Sequence, residues 1–150
     1  MRGILRRSAI GLAAVAMGAV SFAAPASAEA DLGPCAQMTL MKRSGHTIFV
    51  PTFKGSSLCQ LGRAYPAPVK VVYLFQEGLK TCYGHLNLAS PYSDEKIANL
   101  DVDGSFGPRT EAALKSVQRN AGADVDGIYG PNTRDHIRFR SSDTRNCYAY

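Results

Sequence analysis

Hydrophobic positions recur with a helical period in the middle of the chain. The clearest stripe contains Val69, Val72, Phe75 and Leu79, which fall close to one face of a helix with 3.6 residues per turn. Pro66 and Pro68 precede this stripe and favour a helix start just after them. We therefore expect a first helix over residues 69–83, followed by a loop over 84–100 with one short helical turn near 94–98.

Two further helices are predicted where a proline follows a glycine. Proline fits the first helical position because its φ is already helical and its missing N–H would have no partner there. The second helix is expected over about 108–120, with Gly122 ending it, and the third over about 131–139, with Ile137 turned inward. The inward residues of the second helix are Ala112, Ala113, Leu114 and Val117.

The N-terminal part of the chain lacks such a period. Gly, Pro and Ser recur between Asp31 and Ala67, and the stretch from His46 to Phe53 has an extended pattern, with Pro51 placing it at an edge or a bend. The predicted division is a signal peptide over 1–28, an irregular disulfide-held extension over 29–66, a helical domain over 67–140 and a tail over 141–150. The predicted fold class is all-α, a small three-helix bundle with two loop-helix repeats.

A ten-residue motif occurs twice, at the starts of the second and third helices. Residues 101–110 read DVDGSFGPRT and residues 124–133 read DVDGIYGPNT; seven positions are identical, and an eighth pairs Phe106 with Tyr129. Three interpretations compete: a pair of calcium loops, a pair of structural turns that start helices, and a repeated element of a wall-binding domain.

The ligand positions argue against calcium. An EF-hand loop needs oxygen ligands at positions 1, 3, 5 and 12, with Gly at position 6 and a bidentate Glu at position 12. With Gly104 or Gly127 at position 6, position 12 holds Thr110 or Thr133, and position 1 of the second copy is Gly122. We therefore expect no metal site in the repeat.

The structural interpretation explains the repeat without a ligand. Asp-Gly favours a tight turn, the aromatic residue would fill the bundle, and Gly-Pro starts the helix. Thr110 or Thr133 would hydrogen-bond locally in the first turn. Most of the repeat is then core and turn.

Together with the first helix, the repeat resembles the peptidoglycan-binding domain of bacterial cell-wall hydrolases. The resemblance rests on VVYLFQEGL, DVDGSFGPRTEAALKSVQRNAG and DVDGIYGPNT, and it spans about residues 60–139. It implies a three-helix, non-catalytic domain that binds peptidoglycan. The chain departs from the family pattern at Phe75, where Leu is usual, and at Arg134, where Trp is frequent, and it adds a long loop over 84–100 and cysteines.

A groove that binds the wall requires aromatic faces together with polar groups that hydrogen-bond amides and carboxylates. The candidate ligand-binding residues all lie on the two turns: Asp103, Phe106, Arg109, Asp126, Tyr129 and Asn132. The alternative is that Phe106 and Tyr129 are core residues, and that Arg109 and Asn132 are solvated residues of a first helical turn.

The N-terminus has the layout of an export signal. Three arginines among the first seven residues precede an apolar run over 10–22, and Ala26-Ser27-Ala28 offers a cleavage site, so the mature chain is expected to begin at Glu29. Since about 13 apolar residues are too few to span a bilayer, we expect a secreted protein that is extracellular or associated with the cell wall. Cleavage removes 3 of the 17 Lys and Arg residues and leaves a net charge of 14 − 12 = +2, too small to indicate nucleic acid or an acidic membrane surface.

Four cysteines follow the predicted cleavage site: Cys35, Cys59, Cys82 and Cys147. An even number in an exported chain favours two disulfides, for which three pairings are open. We prefer Cys35 with Cys59 and Cys82 with Cys147, because this pairing would close the extension on itself and tie the tail to the helices.

The side chains offer little for catalysis. The three histidines are His46, His85 and His136. Cys82 and His85 have a metal-ligand spacing without a second pair, and a disulfide at Cys82 disfavours a Cys–His nucleophile. The neighbouring carboxylates of Asp94 and Glu95 do not show the separation that a glycosidase needs.

We therefore expect a secreted, non-catalytic protein that binds peptidoglycan and needs no cofactor. One alternative is a small amidase or lysozyme-like hydrolase that uses the extension for catalysis. The other is a secreted protein-interaction domain that docks a protein partner.

Overall fold

A computed structural model describes residues 32–150, so the predicted signal peptide lies outside the described residues. The helices are α1 (Val69–Tyr83), α2 (Pro108–Ala121) and α3 (Pro131–His136), with a 3-10 helix at Ile97–Asn99. The strands are β1 (Gln37–Arg43), β2 (His46–Thr52), β3 (Arg138–Arg140) and β4 (Cys147–Ala149). The all-α prediction is therefore wrong, because the three helices pack together with two small antiparallel sheets.

The extension that was predicted to be irregular contains a β-hairpin. β1 and β2 pair antiparallel, with Gln37 opposite Thr52 and Arg43 opposite His46. Ser44 has φ 48° and the next residue, a glycine, has φ 84°, and two left-handed residues in succession form the hairpin turn that suits the natural twist of the strands. The extended stretch predicted from His46 onward is β2 of this hairpin.

The C-terminal tail forms the second sheet. α3 ends at His136, before the predicted end, and Phe139 lies in β3 instead of in the helix. β3 pairs with β4, with Phe139 opposite Tyr148. An isolated bridge between Ile48 and Ser141 joins the hairpin to this part of the chain, so both ends of the described chain meet on one side of the helices.

Both disulfides have the preferred pairing. Cys35 bonds to Cys59, 24 residues away, and Cys82 bonds to Cys147, 65 residues away. The first closes the extension on itself, and the second ties the C-terminal turn of α1 to β4.

The hydrophobic pattern placed the long helices well. The bounds of α1 agree with the prediction, and α2 extends one residue beyond it. Val72, Phe75 and Leu79 are buried, whereas Val69 is 67% exposed at the start of α1. Within residues 32–150, none of the helices combines the length and apolar character needed to cross a membrane.

Three aromatic rings from different parts of the chain meet in the core. Tyr129 packs edge-to-face on Phe75, with ring centroids 5.4 Å apart, and on Phe139, with centroids 6.2 Å apart. Such pairs add specific geometry to the burial of apolar area. The core therefore joins α1, the second copy of the repeat and β3, and both sheets contribute to it.

Candidate functional site

A buried glutamine of α1 organises the first copy of the repeat. The Gln76 Nε2 lies 3.0 Å from each of three acceptors, Asp103 Oδ1, the Ser105 carbonyl and Thr110 Oγ1, which share its two N–H donors. Its Oε1 accepts from the Gly104 N–H at 2.9 Å. Asp103 Oδ1 also accepts from the Ser105 N–H at 2.8 Å, so the turn is closed by its own carboxylate and held by the helix.

A glutamine of α2 repeats this scheme at the second copy. The two N–H donors of Gln118 Nε2 are shared by Asp126 Oδ1 at 2.7 Å and by the Ile128 carbonyl and Thr133 Oγ1 at 2.9 Å each. Its Oε1 accepts from the Gly127 N–H at 2.9 Å, and Asp126 Oδ1 accepts from the Ile128 N–H at 2.8 Å. The two copies therefore have equivalent hydrogen-bond networks, in which each contact of one copy has a counterpart in the other.

The shared network shows what most of the repeated residues do. Buried polar atoms need partners, and each glutamine satisfies several of them at once. The glycine after the aspartate is required at Gly104, because its φ is 76° and a Cβ there would collide with Val69. The predicted structural roles of the turn and of the two threonines agree with this arrangement.

The role of the two glutamines was missed at the level of sequence. Both stand inside the quoted family pattern, which assigns them no role. A polar residue beside Phe75 on the buried face of a helix is nevertheless a signal of a buried hydrogen-bond network. Gln76 is 1% exposed and Gln118 is fully buried, and burial of an amide is costly unless it is hydrogen-bonded.

The two copies differ at their aromatic residue. Phe106 is partly buried and stacks beside Phe75 at 6.3 Å, whereas Tyr129 is completely buried. The Leu61 N–H donates to the Tyr129 carbonyl at 2.9 Å, and the Tyr129 N–H donates to the Leu61 carbonyl at 2.8 Å. The extension therefore pairs with the backbone of the second turn, and the completely buried Tyr129 ring presents no surface to a ligand.

The residue that follows the proline also differs between the copies. Arg109 of the first copy donates through Nε and Nη2 to both carboxylate oxygens of Glu95, at 2.9 Å for the shortest contacts, and its guanidinium lies 4.6 Å from the ring centroid of Tyr92. Asn132 of the second copy instead accepts from the backbone N–H of Asp124 at 3.1 Å. The first turn therefore presents a cation that the second turn lacks at this position.

Two adjoining grooves lie at the first turn. The polar groove has a volume of about 180 Å³ and the mixed groove about 320 Å³, and Ser105 lines both. The polar groove includes Asp101, Asp103, Ser105, Gly107 and Arg109. The mixed groove combines the Arg63 cation with aromatic and aliphatic residues, among them Tyr65, Val69 and Phe106.

Two carboxylates at the polar groove have lowered pKa values. Hydrogen bonds from Gln76 and from the Ser105 N–H lower the pKa of Asp103. The hydrogen bond from Arg109 likewise lowers the pKa of Glu95. Both groups are therefore charged at neutral pH, and the groove combines fixed negative charge with one fixed positive charge.

The predicted ligand-binding residues fall into two groups. The structure brings Asp103 and Arg109 together in the polar groove and places Phe106 in the adjoining mixed groove. Asp126 and Asn132 lie on the second turn, each bonded to the backbone of its own turn, and Tyr129 lies in the core.

Comparison with known proteins identifies the helical part of the chain. Residues 71–137 match the model of a family described as a putative peptidoglycan binding domain. This match confirms the resemblance to that family over the helical part of the chain. The match begins within α1 and ends just after α3, so it includes both glutamine-centred turns and leaves out the hairpin, β3 and β4. No match was found among curated proteins or among solved structures.

Two of the three histidines and all four cysteines make contacts within the fold. The His46 ring stacks on Tyr148 at 3.5 Å, and His136 Nδ1 lies 2.8 Å from the Asn132 carbonyl. All four cysteines are in disulfides. Across residues 32–150, no three His, Cys, Asp or Glu side chains are grouped closely enough to hold a metal ion.

Proposed function

We propose that this is an exported protein that binds peptidoglycan without cleaving it, and that the first repeated turn is its contact surface. The family match over residues 71–137 carries the proposal. Localisation outside the cell or at the wall follows from the export signal predicted at the N-terminus.

The contrast between the two turns supports the choice of surface. The extension packs on the second turn through the paired backbones of Leu61 and Tyr129. The first turn keeps an aromatic edge at Phe106 beside a charged groove at Arg109. Sugar rings and peptide methyl groups suit the first of these surfaces, and amides and charged groups suit the second.

The proposal that the protein does not cleave its ligand rests on the available side chains. A cysteine nucleophile needs a free thiolate, whereas every cysteine is paired. The alternative of a hydrolase that uses the extension predicts release of soluble wall fragments, and this outcome separates the two functions directly.

Co-sedimentation of the purified, oxidised protein with insoluble peptidoglycan tests the proposal. We expect saturable binding, with no sugar or peptide released into the supernatant over the same period. Failure of the folded protein to sediment with the wall would exclude peptidoglycan binding, and release of fragments would favour the hydrolase.

A further inference from the structure

We propose that the polar groove recognises an ammonium and a carboxylate carried on one carbon atom, as at the free end of a diaminopimelate residue in a peptidoglycan stem peptide. In this arrangement Asp101 faces the ammonium group and Arg109 faces the carboxylate. The inference rests on the proposed function, because it names the chemical group that the same surface selects.

Arg109 is positioned before any ligand arrives. Its bonds to Glu95 engage Nε and Nη2, and the Tyr92 ring lies against the guanidinium. A guanidinium has five N–H donors in a rigid fork, so Nη1 supplies two further donors. A cation held by a bidentate carboxylate and an aromatic ring loses little rotamer freedom when it binds an anion.

Asp101 supplies the opposite charge within the same groove. It is exposed and lines the polar groove together with Arg109. The pKa of Arg109 is raised by its hydrogen bonds to Glu95, and the nearby Asp101 carboxylate contributes to the same shift. A ligand with one charge satisfies only one of these two groups, whereas an amino acid end satisfies both.

The second turn provides a matched internal comparison. Asp124 stands where Asp101 stands in the first copy, but Asn132 replaces Arg109 and bonds to the backbone of Asp124. A substitution of Asp124 is therefore the same chemical change on an equivalent turn that lacks the cation.

Two synthetic tripeptides test the inference by calorimetric titration into the purified, oxidised protein. They are L-Ala-γ-D-Glu-meso-diaminopimelate and L-Ala-γ-D-Glu-L-Lys. The diaminopimelate side chain ends in an ammonium and a carboxylate on one carbon, whereas the lysine side chain ends in an ammonium alone. We expect the diaminopimelate peptide to bind at least about tenfold more tightly, as one added charge-assisted contact predicts. Equal dissociation constants would overturn the inference.

Four variants locate the two charges. Arg109→Gln should reduce the preference for diaminopimelate to less than about twofold and leave lysine-peptide binding unchanged, because the lost contact is the carboxylate contact. Asp101→Asn should weaken both peptides through the ammonium. The matched variants Asp124→Asn and Arg119→Gln should change neither; effects equal to those of Asp101→Asn and Arg109→Gln would overturn the assignment.

A parallel sedimentation experiment separates failure of the inference from failure of the proposed function. Insoluble peptidoglycan of the diaminopimelate type and of the lysine type is compared with the same protein. Stronger binding to the diaminopimelate wall supports the inference, and equal binding to both walls contradicts the inference alone. No binding to either wall removes the proposed function as well.

Discussion

Gln76 and Gln118 account for the duplication of a ten-residue motif. Each amide is buried in a helix, bonds the aspartate and threonine of one turn, and accepts from the glycine N–H between them. The turn, the glycine and the threonine were predictable because their chemistry is local. The glutamine of α1 was not, because its partner at Asp103 lies 27 residues away.

Replacement of a central glutamine should cause a large loss of stability. Gln118→Ala leaves the buried Gly127 N–H without its partner and removes one of the two side-chain donors to the Ile128 carbonyl, so we expect a loss of about 2–4 kcal/mol in the free energy of unfolding. Urea unfolding measures this loss of free energy. The neighbouring exposed residue is the control, and Arg119→Ala should change stability by less than about 0.5 kcal/mol; similar losses in both variants would contradict the network.

Removal of the Tyr129 hydroxyl should stabilise the protein. This hydroxyl is buried without a hydrogen-bond partner among the described residues, and an unsatisfied buried group costs about 1–3 kcal/mol. Tyr129→Phe reproduces the residue type at Phe106. We expect it to raise the free energy of unfolding by about 1 kcal/mol, as measured by thermal or urea unfolding. A clear loss of stability in Tyr129→Phe would show that the hydroxyl makes a stabilising contact.

The charge of Asp103 should make stability depend on pH. Hydrogen bonds from Gln76 and Ser105 hold its folded-state pKa below the ordinary 3.8. A lowered folded-state pKa means that the charged form stabilises the fold above the unfolded pKa, and that this contribution is lost as the pH falls through the folded value. Asp103→Asn should therefore be less stable than the parent protein at pH 7.

The difference between Asp103→Asn and the parent protein should shrink as the pH is lowered well below 3.8. Urea unfolding of both proteins at several pH values measures this difference. A gap that stays constant from neutral to acid pH would show that the charge of Asp103 does not act on stability.

The helices and the strands differ in how far local sequence determines them. α1 and α2 have a long apolar period, proline at or before the first turn, and in α2 a left-handed Gly122 after the last turn, so their bounds could be predicted. β3 and β4 have three residues each, too few for a pattern, and their pairing depends on tertiary contacts. The hairpin was not predicted, although its turn residues, Ser44 and Gly45, both have the positive φ of a two-residue hairpin turn.

The two disulfides should stabilise the protein to different extents. Loop-closure entropy predicts about 3 kcal/mol for a loop of the length closed by Cys35 and Cys59, and about 4 kcal/mol for the loop closed by Cys82 and Cys147. We therefore expect the paired alanine variant of Cys82 and Cys147 to lose more stability in urea. A greater loss on removal of Cys35–Cys59 would show that packing of the extension on the second turn dominates.

In the molecule as a whole, two copies of one turn have different surroundings. The extension pairs with the second copy through the backbone of Leu61, and the aromatic ring of that copy, Tyr129, is completely buried. The first copy keeps its grooves and the positioned Arg109. Family resemblance predicted the domain from sequence, but not this difference, because the covering segment lies outside the repeated pattern. The first turn is therefore the surface that we propose contacts the wall.

Backbone chemical-shift mapping during titration with soluble peptidoglycan fragments distinguishes the two turns. We expect the amide signals of residues 101–110 to move progressively toward saturation, while those of the matched residues 124–133 stay in place. Saturable shifts confined to residues 124–133, or of equal size in both turns, would show that the first turn is not the contact surface.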